Sequence, residues 1–143
     1  MLITKINLLD FLNQKLETVS CQNDTKAYIT SIFKRYTSAE FDFSQESVTL
    51  LYAEARERQD FSGFQNIGDW LFFSESMFPA SLNGASEDYY HTLARSSYYR
   101  CYTLISRKWR LFEELSDNYQ YLVTQTKTAM APQSLGLIPP LAL

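Results

Sequence analysis

Residues 60–102 read DFSGFQNIGDWLFFSESMFPASLNGASEDYYHTLARSSYYRCY. Eleven of the chain's 22 aromatic residues lie between Phe61 and Tyr102, with Asp69, Arg95 and the only histidine, His91. So dense a segment can build a core, a ligand pocket or a binding surface. Its punctuation points to helices. Gly63 breaks the pattern across Asp60 to Gln65, and Asn66 is placed to cap a short helix from about Ile67 to Phe78. Pro79 ends that helix, because the residue before a proline avoids the helical region. Asn83-Gly84 marks a turn inside the loop Ala80 to Ala85. Ser86 then caps a long helix running to about Ser106, with Glu87 and Asp88 complementing the dipole of its first turn.

Working outward, the same periodicity recurs. Ile6, Leu9, Leu12, Leu16 and Val19 form one apolar helix face, with Asp10, Asn13, Gln14 and Glu17 largely opposite. A polar turn, Ser20 to Asp24, leads to a second helix with Tyr28, Ile29, Ile32, Phe33 and Tyr36 inward. After the connector Thr37 to Ser44, Ser44 is a plausible cap for a third helix bearing Val48, Leu51, Tyr52 and Ala55. On the C-terminal side, Leu111, Phe112, Leu115, Tyr119, Leu122 and Val123 mark a helix to about Lys127. No Gly or Pro separates it from the helix before, so the two also read as one bent helix. Alternation of strand type is confined to short pieces such as Glu40 to Phe43. The expected fold is an all-α, single-domain bundle of five to six helices over residues 1–130. Residues 131–143, APQSLGLIPPLAL, form an irregular apolar tail, since prolines 132, 139 and 140 preclude a regular helix.

Composition narrows the function classes. A chain of 143 residues, 45% hydrophobic and 20% charged, can bury a sizeable core. A net charge of -3 gives no global attraction to nucleic acid or to an anionic membrane. No apolar run approaches the roughly 18–20 residues of a membrane helix. The N-terminus does not read as a signal peptide. Cys21 and Cys101 are isolated, as in a reduced, cytoplasmic protein.

The sequence offers little for catalysis. One histidine precludes the paired Glu-x-x-His arrangement of di-iron bundles. Two dispersed cysteines do not suggest a zinc site. Glu87 and His91, spaced i,i+4, read as an exposed pair at a helix start. There is no nucleophile elbow, phosphate loop or dinucleotide fingerprint. The expectation is therefore no metal, no cofactor and no catalytic residue, and Glu113 and Glu114 are expected in solvent.

Three features carry alternatives. Asp69 reads either as a first-turn residue after Asn66 or as a carboxylate paired with Arg95 inside the bundle, where partial dehydration demands full hydrogen bonding. Tyr90, Ala94, Tyr98 and Cys101 or Tyr102 follow one stripe, with His91, Arg95 and Tyr99 beside it. Such a stripe suits a boundary between core and water, or a pocket wall. Arg95, Arg100, Arg107, Lys108 and Arg110 form a basic run with no acid between Tyr89 and Phe112. Interleaved aromatic and basic residues are known from single-strand nucleic-acid binders, but the acidic balance argues against that partner.

The motif Ile67-Gly68-Asp69-Trp70-Leu71-Phe72-Phe73, with Met77-Phe78-Pro79, then Tyr89-Tyr90 and Leu93-Ala94-Arg95-Ser96-Ser97-Tyr98, resembles an uncharacterised family of small helical bacterial proteins. These share a GDW-like turn, an LF…FP helix and a YY…GRSAY-like helix. The resemblance covers about a quarter of the chain and departs at Glu75 and Ala94, where glycine is expected. It implies a helical fold and a bacterial origin, and no activity. The expected role is a non-catalytic protein-binding module, with self-association as one form. The expected binding residues are Asp69, Trp70, Tyr90, His91, Arg95 and Tyr98. The alternative is a small-ligand-binding protein or enzyme with an aromatic pocket between the fourth and fifth helices and Arg95 as anion anchor.

Overall fold

The computed structural model describes residues 5–36, 45–79, 82 and 87–130. Within them the chain is all helix, without a strand: α1 Lys5–Leu16, α2 Asn23–Tyr36, α3 Gln45–Arg58, α4 Phe61–Met77, α5 Glu87–Leu104, α6 Arg110–Asp117 and α7 Tyr119–Ala129. The expected fold class holds, but the count is seven instead of five or six. The connector with Ser44 and the piece Glu40 to Phe43, the Asn83-Gly84 turn, the Ser86 cap and the tail 131–143 lie outside the described residues. No helix among those described is long and apolar enough to cross a membrane.

The extra helix and the shifted boundaries have local causes. α3 is stopped by Gln59, not by Gly63. Gln59 takes a left-handed φ of 53°. Its N–H reaches back to the Arg56 carbonyl, and the Asp60 N–H reaches the Ala55 carbonyl at 3.0 Å. That pair of bonds is a Schellman ending, usually built on glycine. Asp60 is then extended and becomes the N-cap residue of α4. α4 therefore starts at Phe61, several residues before the expected Ile67, and Asn66 lies inside it. α5 ends the same way. Ser106 and Arg107 both have φ 58°, with Ser106 N–H bonded to the Thr103 carbonyl at 3.1 Å and Arg107 N–H to the Tyr102 carbonyl at 2.9 Å. The bent-helix alternative is thereby corrected: a left-handed turn separates α5 from α6, and Asn118 separates α6 from α7.

α4 is the central element, packed against α2, α3, α5 and α7. Every residue from Ile67 to Ser76 is buried, so α4 has no solvent face over three turns. Such a helix is normally apolar all round. This one carries Asp69, Ser74, Glu75 and Ser76 into the interior, and those groups need partners. Around it lie Ile29, Ile32 and Phe33 of α2, Leu93, Ala94 and Tyr98 of α5, Phe112 and Leu115 of α6, and Tyr119 and Leu122 of α7.

Candidate functional site

The interior polar groups fall into two clusters along α4, each centred on a carboxylate. Asp69 has 0% exposure. The Tyr28 hydroxyl donates to it, 2.9 Å from Oδ1 and 2.8 Å from Oδ2, and the Tyr98 hydroxyl donates to Oδ1 at 2.8 Å. The Arg35 guanidinium donates to Oδ2 and forms the ion pair. Gln65, one turn before Asp69, donates its amide to the Tyr28 oxygen at 2.9 Å. Sequence spacing explains the convergence. Tyr28 and Arg35 are seven apart on α2, hence on one face, and Gln65 and Asp69 are four apart on α4.

Gly68 makes the α5 contribution possible. A Cβ there would stand 2.9 Å from Cε1 and Cζ of Tyr98. The missing side chain lets the Tyr98 ring lie on the α4 backbone, which brings its hydroxyl to the next residue, Asp69. Burial pushes the Asp69 carboxyl above its usual range, while Tyr28, Tyr98 and Arg35 pull it back. All three partners donate, which is the environment of an accepting, ionised carboxylate. Burial and the Asp69 charge in turn raise the Tyr28 and Tyr98 phenols. The cluster is hydrogen-bonded on both oxygens, so its chemistry is structural: it locks α2 and α5 to α4.

Glu75 centres the second cluster, six residues on and about 9 Å further along the helix. The Tyr119 hydroxyl of α7 donates to Oε2. His91 Nε2 of α5 lies 2.7 Å from Oε1. That distance is within ion-pair range, but the ring N–H is not directed along it, so Oε1 receives no well-formed hydrogen bond. Burial pushes the Glu75 carboxyl up to about 7; Tyr119 and Lys127 oppose the shift and the Glu87 charge adds to it. The Tyr98 and Tyr119 rings, 6.3 Å apart, join the two clusters.

The residues singled out from sequence are thus placed as follows. Asp69 and Tyr98 bond directly. Trp70, Tyr90 and His91 are buried in the same core. Arg95 is exposed and joins α5 to α6 instead: its Nε donates to the Ser116 carbonyl at 2.9 Å, and Ser116 Oγ donates to the Arg95 carbonyl at 2.9 Å. No ion pair links Arg95 to Asp69, and the arginine on Asp69 is Arg35. Asp69 is also the ninth residue of α4, far from its first turn. His91 is buried against Glu75, not exposed beside Glu87. Glu114 is not idle in solvent either. It accepts from the Gln22 amide at 3.0 Å and the Thr25 hydroxyl at 2.6 Å, capping α2 from another helix.

No protein-family model, curated protein or solved structure matches the chain.

Two concavities of more than 300 Å³ lie among the described residues. One of about 320 Å³ lies between α3 and the start of α4, lined by Leu51, Glu54, Arg58, Asp60, Asn66 and Ile67 among others. Another of about 420 Å³ lies where the start of α2 meets the start of α6, lined by Gln22, Asp24, Lys108, Trp109, Arg110 and Leu111. Residues 106–110 are all exposed, and Trp109 keeps 56% of its surface in water. The sequence reading marked Arg107, Lys108 and Arg110 as a basic run but passed over Trp109 between them. Its position among three basic residues was the available signal.

Proposed function

We propose that this chain is a non-catalytic protein-interaction module, and that its docking face is the turn from Ser106 to Arg110 with the adjoining groove. The exposed Trp109 carries this reading. A folded chain with an aromatic core gains little by holding an indole in water, whereas tryptophan and arginine are the residues most enriched at interface hot spots. Trp109 is held in place, stacked on Phe112 at 6.2 Å and 20°. Two successive non-glycine residues in left-handed geometry present it, and strained backbone of that kind concentrates at functional turns. Lys108 and Arg110 flank the indole and Arg107 precedes it, so an acidic protein segment is the complementary partner. The net charge of -3 gives no global attraction to a nucleic-acid strand.

The test begins with a photo-crosslinking residue in place of Trp109 and, as control, at exposed Thr124 on α7, in the native cells. The protein captured only from position 109 is then purified and its binding measured. Trp109→Ala should weaken that complex by about tenfold or more, and Lys108→Glu should weaken it in a salt-sensitive way. An affinity unchanged by both substitutions removes this face from the proposal. Capture of a second copy of the chain makes the function self-association.

A small-ligand reading draws support from the cleft of about 320 Å³ at α3 and α4. There Arg58, not Arg95, is the cation. Native mass spectrometry of the purified protein separates the readings, since a co-purified small molecule lost on Arg58→Ala favours the cleft.

A further inference from the structure

The cleft of about 320 Å³ between α3 and the start of α4 has an apolar floor and a charged rim. Ala55 and Ile67 in the floor are each 3% exposed, and Leu51 beside them is half-buried. Glu54, Arg58 and Asp60 in the rim are exposed. Leu50 and Glu57 lie on the Glu54 side of α3, whereas Arg56 falls on the opposite side. Leu50 keeps 60% of its surface in water, and Glu57 is exposed too. Exposed apolar side chains rimmed by charge mark an interaction surface, and three acids to one base make this one acidic. The imbalance is larger across the chain. Residues 95–110 hold five of the 13 basic residues and none of the 16 acidic ones, which leaves eight basic residues against 16 acidic elsewhere.

We infer that the occupant of the Ser106–Arg110 docking face is a second copy of this chain, with Trp109 of one copy seated in the α3–α4 cleft of the other. The inference rests on that turn being the docking face and names its partner. One molecule carries both halves of a charge-complementary contact. The turn is basic and presents an exposed indole; the cleft is apolar below and acidic at Glu54 and Asp60. Arg58 in the rim suits the same guest, because a guanidinium stacks on the face of an indole. Turn and cleft are different surfaces, so the contact is heterologous: each copy offers one of each. A contact of one aromatic anchor and a few charges belongs to the small, transient class, so association is expected at high protein concentration.

The test is sedimentation of the full chain at concentrations rising to about 1 mM, in low and in high salt. The average mass should rise with concentration and fall back in high salt. Trp109→Ala should weaken association by about tenfold or more. Glu54→Lys and Asp60→Lys should weaken it by up to about fivefold each. Both acids are exposed and Asp60 makes no side-chain cap bond, so these variants keep the fold. The deciding sample mixes the Trp109→Ala protein with the Glu54→Lys, Asp60→Lys double variant. One intact cleft and one intact turn remain in that mixture, so a heterodimer should form at concentrations where neither variant associates alone. A mixture that stays monomeric overturns the inference, as does a wild-type chain that stays monomeric throughout. Association weakened by Trp109→Ala but untouched by the double variant also overturns it, and leaves Trp109 in a docking face with another occupant.

Discussion

Asp69 is held by a donor from α5, a donor from α2 and a guanidinium that reaches in from water. The Arg35 side chain keeps 44% of its surface exposed, so its charge is screened and its contribution is modest. Tyr28 and Tyr98 supply the dry part of the bonding. Asp69→Ala would leave the Tyr28 and Tyr98 hydroxyls without the acceptor they share, and removing one partner of a buried ionic cluster costs about 3–5 kcal/mol. Tyr98→Phe leaves the carboxylate with its other donors and costs about 1–2 kcal/mol. Urea denaturation of both variants checks the order; a Tyr98→Phe loss equal to that of Asp69→Ala would mean the tyrosine, and not the carboxylate, is the keystone. From sequence Asp69 is either a first-turn residue or the partner of Arg95, and the second alternative rests on the bonding that a carboxylate amid Trp70, Phe72 and Phe73 requires. That pairing names the wrong arginine. Arg35 and Arg95 both lie on helices packed near α4, and periodicity fixes the face of each helix but not how the helices rotate against one another. Glu75 was read only as a departure from glycine, although a carboxylate in that apolar context carried the same signal as Asp69.

At the scale of the element, the fold was legible wherever an apolar stripe ran uninterrupted, and obscure where a helix ended without glycine. Gln59 and Ser106 occupy left-handed positions that glycine usually fills. Nothing in their chemistry announces a stop, so α4 was expected too late and α5 was open to continuation. Glycine at either place removes the strain of a side chain in left-handed geometry, so Ser106→Gly should raise stability by about 1 kcal/mol, visible as a higher melting temperature. The two glycines of α4 behave in opposite ways. At Gly63 the nearest obstacle to a Cβ is the Asp60 carboxylate, the end of an exposed side chain that can swing aside. Gly63→Ala should therefore be near neutral, the gain in helix propensity of about 1 kcal/mol offsetting the tighter contact with Ala55. At Gly68 the obstacle is the fully buried Tyr98 ring. Gly68→Ala must displace that ring from Asp69 and should cost about 1–3 kcal/mol despite the same propensity gain. Equal stability of the two alanine variants would show that the Tyr98 ring is not seated on the α4 backbone.

For the whole molecule, the central α4 makes stability depend on protons in an unusual direction. Most proteins lose stability in acid because native carboxylates are paired or hydrogen-bonded in ways that unfolded ones are not. Here Glu75 is the reverse. Burial lifts it from 4.5 to about 7, so between those values the folded chain holds a proton that the unfolded chain has released. By linkage, stability is greatest below about pH 4.5 for this group and is lost as pH rises toward 7, because the native state must then keep a buried charge. The full effect is on the order of 3 kcal/mol. Burial also raises Asp69, which adds in the same sense. The melting temperature should therefore rise as pH is lowered from 8 to about 5. Glu75→Gln removes the titrating group while keeping a side chain that Tyr119 can still reach, so the variant should be flatter over that range and should gain on the wild type at pH 8. Parallel profiles for the two proteins would place the neutral titration elsewhere. A profile that falls toward acid in the wild type would mean that Glu75 is ionised and satisfied in the native state.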